Sequence, residues 1–160
     1  MNYNHKTLRN NNLFEIKVQN YLEQTRMKIW NKTEIQQYYG TEMSEINHMI
    51  FTSDRIICFT DKLTDNMVST SCIKAFIRCV NMIAQHNNIY TIGVYIGNIS
   101  LNNPSKIELE NENNKCNGTH FHTIIELNED VLLNKIHNYL HSYYNIYMYD
   151  MDGDCFMLNC

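Results

Sequence analysis

Strand-forming and helix-forming segments alternate along the chain, and their order limits the possible folds more than any other feature of the sequence. Residues 55–63 and 89–97 are rich in β-branched and aromatic residues, as strands are. Between them, Ile73, Ile77 and Val80 recur at the spacing of one helix face. The whole order reads helices, β, α, β, β, β, α, β, β. It predicts an α+β fold, with a central antiparallel sheet flanked by helices.

The N-terminal quarter is expected to be helical. Apolar residues fall at helical intervals over residues 13–30, and a second helical stretch over 33–50 is broken at Gly40. The length of 160 residues is typical of one domain. We therefore expect a helical segment, residues 1–54, packed on an α+β unit formed by residues 55–160.

The second half reads as strands around one helix. Residues 106–110 (KIELE) and 120–127 (HFHTIIEL) alternate apolar and polar side chains, which predicts two strands. Apolar residues share one face over 129–144, which predicts an amphipathic helix. An Asp-Gly pair predicts a hairpin over residues 145–159.

Charge is distributed unevenly between the two halves of the chain. The formal net charge is −4, but ten of the 13 Lys and Arg residues lie within residues 1–80. A nucleic-acid-binding protein usually presents a basic face, which only the first half could supply here. We take Arg55, Lys62, Lys74 and Arg78 as candidate contacts to nucleic acid.

Cysteine spacing and hydropathy indicate the cellular environment that the protein is expected to occupy. The six cysteines form no Cys-x-x-Cys pair, so neither a zinc finger nor a redox motif is indicated. The first residues carry no secretory signal pattern, and no apolar run is long enough for a membrane span. We expect an intracellular protein that does not associate with membranes.

The sharpest local pattern is Thr119-His120-Phe121-His122-Thr123. Side chains two apart on a strand point to the same face, so His120 and His122 should lie side by side while Phe121 faces the core. Imidazole is a good ligand for divalent transition metals. The histidine pair therefore suggests half of a metal site, and the alternative is a solvent-facing pair without function.

The predicted KIELE strand could complete such a site. Its Glu108 and Glu110 share one face, and a carboxylate on a strand beside the histidines could be the third ligand.

A hydrophobic residue between two strand histidines, followed by a helix, resembles the His-hydrophobic-His motif of the HUH endonucleases. The order of elements over residues 89–160 is most similar to the N-terminal nuclease domain of parvovirus and densovirus replication proteins. The resemblance implies a viral rolling-circle replication initiator that nicks single-stranded or origin DNA. It also implies bound Mn or Mg, action in the host nucleus, and oligomerisation through a region outside this chain.

The implied reaction uses a tyrosine nucleophile. The metal, held by His120, His122 and Glu110 or Glu108, would polarise the scissile phosphate. The tyrosine oxygen would then attack the phosphorus, forming a 5′-phosphotyrosine and releasing a 3′-hydroxyl.

The sequence departs from the family at this nucleophile, because its Tyr-x-x-Lys or Tyr-x-x-x-Lys motif is absent. Tyr139, one turn after Lys135, is a possible substitute. Otherwise the tyrosine helix lies beyond residue 160, the activity is lost, or the resemblance does not hold. The alternative function is a non-catalytic α+β module, such as a viral host-interaction protein, that binds nucleic acid or a protein partner and has an incidental histidine pair.

Overall fold

The structure is a computed structural model that describes the backbone of residues 2–149 and 155–156 and the side chains of residues 12–147. Its elements, in chain order, are α1 (Asn2–Glu23), β1 (Lys28–Asn31), α2 (Lys32–Tyr39), a 3-10 turn (Thr41–Met43), β2 (His48–Phe51), β3 (Arg55–Lys62), α3 (Thr70–Asn87), β4 (Tyr90–Gly97), α4 (Asn103–Lys115), β5 (Thr119–Ile125), α5 (Glu129–Tyr144), β6 (Met148–Tyr149) and β7 (Cys155–Phe156).

The central sheet has five strands in the order β1-β2-β3-β4-β5. The pairs β1-β2 and β2-β3 are antiparallel, whereas β3-β4 and β4-β5 are parallel. The α+β class is confirmed, but the expected antiparallel sheet is a mixed one. Parallel neighbours need a crossover connection, and α3 and α4 provide the two that join β3, β4 and β5.

The predicted KIELE strand is wrong, because residues 106–110 lie inside α4. The side chain of Asn102 accepts a hydrogen bond from the backbone N–H of Ser105, and Pro104 occupies the first turn. This combination starts a helix. Ser105, Leu109 and Glu112 then form the buried face of α4 at helical spacing.

Helices cover both faces of the sheet. On one face, apolar side chains of α2, α3 and α4 pack against Met49, Cys58, Tyr95 and Phe121. On the other face, α1 and α5 cover alternate strand residues, including Ile57, Phe59, Ile92, Val94 and Ile124. The fold therefore has three layers, and strand alternation decides which helices a given side chain meets.

The N-terminal quarter contains the expected helices and also two strands that the sequence did not suggest. Residues 28–31 and 48–51 form β1 and β2, so the sheet crosses the expected boundary after residue 54. The turn between β2 and β3 is fixed by Thr52, whose side chain accepts a hydrogen bond from the backbone N–H of Arg55.

The outer edge of β5 is protected by a side chain of α4. Asn113 donates its Nδ2 to the carbonyl oxygen of Phe121, 3.0 Å away, and its Oδ1 accepts from the N–H of Phe121 at 2.7 Å. The amide thus replaces a neighbouring strand at this point of the edge.

The C-terminal hairpin is present as the antiparallel pair of β6 and β7. Its Asp-Gly turn lies outside the described residues.

None of the helices that the structure describes is long and apolar enough to cross a membrane.

Candidate nucleic-acid interface

The two histidines of β5 lie side by side on the sheet face covered by α5. His120 and His122 are opposite Ile92 and Val94 of β4, and their ring centroids are 4.6 Å apart. Phe121 points to the other face, where it packs against Phe76. The predicted alternation is confirmed, but both histidines are half-buried rather than fully open to solvent.

Tyrosines of α5 extend this histidine pair into one continuous group of rings. The centroid of His122 lies 5.2 Å from that of Tyr139 and 5.4 Å from that of Tyr143. Tyr139 is 8% exposed, whereas Tyr143, one turn later, is 63% exposed. The helix therefore buries one ring against the sheet and presents the next to solvent.

The hydroxyl of Tyr139 points to a neighbouring tyrosine. It lies 2.8 Å from the hydroxyl of Tyr144, and burial is the largest cause that raises the pKa of Tyr139 far above its ordinary value. A protonated hydroxyl is a weak nucleophile. The structure brings the Tyr139 ring close to His122, but it keeps the hydroxyl neutral.

Arg55 lies at the other side of these tyrosines, at the start of β3. Its guanidinium carbon is 5.2 Å from the ring centre of Tyr144, and its Nη2 is 3.0 Å from Oδ2 of Asp54. Tyr90, which is paired with Arg55 in the sheet, is exposed beside it. We call this group the His-Tyr surface; it consists of Arg55, Tyr90, His120, His122, Tyr139, Tyr143 and Tyr144.

Two surface hollows meet at Tyr143. One, of about 440 Å³, extends to Arg55 and Thr52 and passes Tyr144. The other, of about 500 Å³, runs between the exposed edge of β5 and α5 and includes Lys135. Tyr143 lines both, so an exposed ring stands between two hollows that each contain one cation.

Burial also affects the charge of the histidine pair. Burial is the main cause that lowers the pKa of His122 below its ordinary value, and the neighbouring His120 lowers it further. His122 is therefore neutral at neutral pH, with ring nitrogens that can accept or donate one hydrogen bond each.

The two glutamates expected as metal ligands are separated from the histidines by the sheet. Glu108 and Glu110 belong to α4, on the opposite face of the sheet, and Glu108 Oε1 is 3.7 Å from Nζ of Lys74. Within the described residues, no group of three or more His, Cys, Asp and Glu could hold a metal ion. Hence the structure does not assemble the expected ligand set, and a bound Mn or Mg stays a prediction.

The expected basic contacts are also dispersed. Arg55 is the first residue of β3 and Lys62 the last, so they lie at opposite ends of the strand. Nζ of Lys62 is 2.9 Å from Oε2 of Glu45. Lys74 and Arg78 line a groove between α3 and α4 on the other face. Only Arg55 of the four belongs to the His-Tyr surface.

Sequence reasoning missed most of the polar side chains in these hollows. Thr52, Asn138 and Ser142 line them. Tyr143 lines both and is exposed; from the sequence it belongs to a tyrosine cluster that could stack on single-stranded bases, although its helical spacing favours a place in the core. The signal for Tyr143 was the cluster of tyrosines in α5. A tyrosine one turn from a buried tyrosine can lie at the edge of the core, because its ring is apolar and its hydroxyl is hydrated.

Comparisons with known proteins do not assign the chain to a family. No protein-family model matches the sequence, and no curated protein matches it.

Proposed function

We propose that this chain is a non-catalytic α+β module that binds single-stranded nucleic acid on the His-Tyr surface. The observation that carries the proposal is the position of Tyr143. Its ring is mostly exposed, is held against His122, and stands between two hollows. An aromatic ring in this position can stack on an unpaired base of any sequence.

The surroundings of Tyr143 suit the remainder of a nucleotide strand. Arg55 in one hollow and Lys135 in the other could contact phosphates on either side of the stacked base. Both cations have acidic neighbours, Asp54 and Glu126, at 3.0 Å. Exposed ion pairs of this kind are worth only about 0–1 kcal/mol, so a phosphate can compete for the cation.

Two features support binding without cutting. The Tyr139 hydroxyl is buried and bonded to Tyr144, and the acidic residues of α4 are on the other side of the sheet. Nicking, a viral replication role, nuclear action, oligomerisation and a preference for origin DNA therefore stay predictions derived from the HUH resemblance.

A titration of labelled oligonucleotides, followed by fluorescence anisotropy, tests the proposal. We expect saturable binding of a single strand, weaker binding of a duplex, and loss of about fivefold or more in affinity for Tyr143→Ala, since stacking contributes about 1–3 kcal/mol per base. Tyr38→Ala is the matched control, because Tyr38 is 60% exposed but lies on α2.

Three results would contradict the proposal: no binding by the unaltered chain, equal affinity of the Tyr143→Ala variant, or an equal loss in the Tyr38→Ala control. The same samples test nicking. Cleavage of labelled single-stranded DNA with Mn²⁺ that is lost in His120→Ala/His122→Ala would establish it.

A further inference from the structure

A second aromatic group lies on the opposite face of the sheet and holds an ammonium group of the chain itself. Lys28 of β1 is paired in register with Phe51 of β2, and Trp30 is on the same face two residues later. The Nζ atom of Lys28 is 4.8 Å from the ring centre of Phe51 and 5.4 Å from that of Trp30. Both distances are within the range of cation-π attraction.

The two rings form an angle around this ammonium. The planes of Trp30 and Phe51 meet at 64°, with centroids 4.9 Å apart. Since each ring presents its negative face to the same Nζ, the cation lies in a corner with two aromatic walls. Lys28 is exposed, so this corner opens to solvent.

Neighbouring residues hold the corner in place. Tyr38 and Tyr39 of α2 pack against Trp30, with centroids at 5.2 and 6.1 Å. The hydroxyl of Tyr39 accepts a hydrogen bond from Asn87 of α3 at 2.8 Å. The start of α2 is fixed by Asn31, whose side chain accepts from the N–H of Glu34. The Trp30 ring is therefore held in place by α2, which is itself fixed by Asn31 of β1 and Asn87 of α3.

Among the ion pairs of the described residues, none involves Lys28. A primary ammonium is strongly hydrated and gains little from rings alone, whereas an alkylated ammonium is weakly hydrated and is the cation that aromatic walls bind best.

We propose that the corner formed by Trp30 and Phe51 is a binding site for an alkylated ammonium group, and that Lys28 occupies it when no ligand is bound. The ligand chemistry is a trimethylammonium head, either on a small molecule such as choline or on a trimethylated lysine of a peptide. The site is separate from the His-Tyr surface and does not depend on its function.

The single tryptophan of the chain reports on this site directly. We would titrate choline, and separately a peptide containing trimethyllysine, while recording the fluorescence of Trp30. Removal of the competing ammonium in Lys28→Ala should tighten binding roughly three- to sixfold, given a cation-π contact of about 0.5–1 kcal/mol. The ligand that binds more tightly identifies the source.

Matched variants and ligands make the outcome decisive. Phe51→Leu in the Lys28→Ala background keeps an apolar side chain but removes one wall, and should abolish the saturable signal. Lys106→Ala removes an exposed cation from α4 and should leave binding as in the unaltered chain. Circular dichroism confirms that each variant is folded.

The proposal is overturned if the Lys28→Ala variant shows no saturable change with either ligand. It is also overturned if the uncharged carbon analogue of choline binds equally well, because the contact would then be hydrophobic rather than cationic.

Discussion

The ring centroid of His122 lies 5.4 Å from that of Tyr143, across the contact between β5 and α5. This contact joins the most distinctive motif of the sequence to the most exposed tyrosine of α5, and both hollows of the His-Tyr surface meet beside it. The imidazole supports a ring that can stack on a base.

Acidification should destabilise the chain through His122. Burial and His120 lower the pKa of His122 in the folded state, so the unfolded chain takes up a proton first as the pH falls below the ordinary value of about 6.5. Stability should therefore fall as the pH drops from about 6.5 towards the lowered pKa. In thermal unfolding at a series of pH values, His122→Gln should show a shallower decrease than the unaltered chain.

His137 contributes with the same sign, because burial is the main cause that lowers its pKa too. A residual slope is thus expected in the His122→Gln variant. An unchanged slope would contradict the assignment to His122.

Removal of the Tyr139 hydroxyl should have a structural effect. Tyr139→Phe deletes the hydrogen bond to Tyr144 and should cost about 0.5–1.5 kcal/mol in free energy of unfolding. Urea denaturation measures this cost. If Tyr139 were instead a nucleophile, the same variant would abolish DNA nicking while a covalent DNA adduct formed only with the unaltered chain.

A methyl group at Gly93 should disturb the centre of the sheet. A Cβ atom there would lie 2.6 Å from the ring of Phe121, its partner in register, and 3.1 Å from Cγ2 of Val80 on α3. Overpacking of this kind costs about 1–3 kcal/mol, so Gly93→Ala should lower the urea midpoint accordingly. An unchanged midpoint would show that Phe121 moves freely, contrary to the packing described above.

The buried pair of His48 and Asp61 offers a test by double-mutant cycle. The His48 ring contacts the Asp61 carboxylate with one nitrogen and Gln19 Oε1, at 2.6 Å, with the other. Both side chains are 1% exposed. His48→Leu alone should cost about 3–5 kcal/mol, because a buried carboxylate loses its partner.

The double variant His48→Leu/Asp61→Leu should recover part of this loss, since no buried charge remains. Unfolding free energies of the four proteins give the coupling. Strictly additive losses would contradict a direct interaction between the two side chains.

Local sequence patterns predicted the elements with a clear helical or alternating periodicity. The helix over 129–144 has the expected bounds, and the strand alternation of His120 and His122 is confirmed. KIELE was misread because five alternating residues are too few to distinguish a strand from a helix. In α4, Leu109 is buried but Ile107 is exposed, and the Asn102 cap with Pro104 was the better signal.

The pairing of strands and the assembly of the site depend on contacts between distant residues. Whether β3 and β4 run parallel is decided by the packing of α3 across them, which no short pattern encodes. The contact of Arg55 with Tyr144 likewise exists only after β3 and α5 have packed. The histidines and Arg55 could therefore be anticipated as separate candidates, but their assembly beside the tyrosines of α5 could not.

The most direct test of the binding proposal is an NMR titration with a single-stranded oligonucleotide. The account predicts chemical-shift changes that concentrate at His122, Ser142, Tyr143 and Arg55, while signals of Tyr38 and its neighbours stay in place. Changes that are absent at high oligonucleotide concentration, or that centre on another surface, would contradict it.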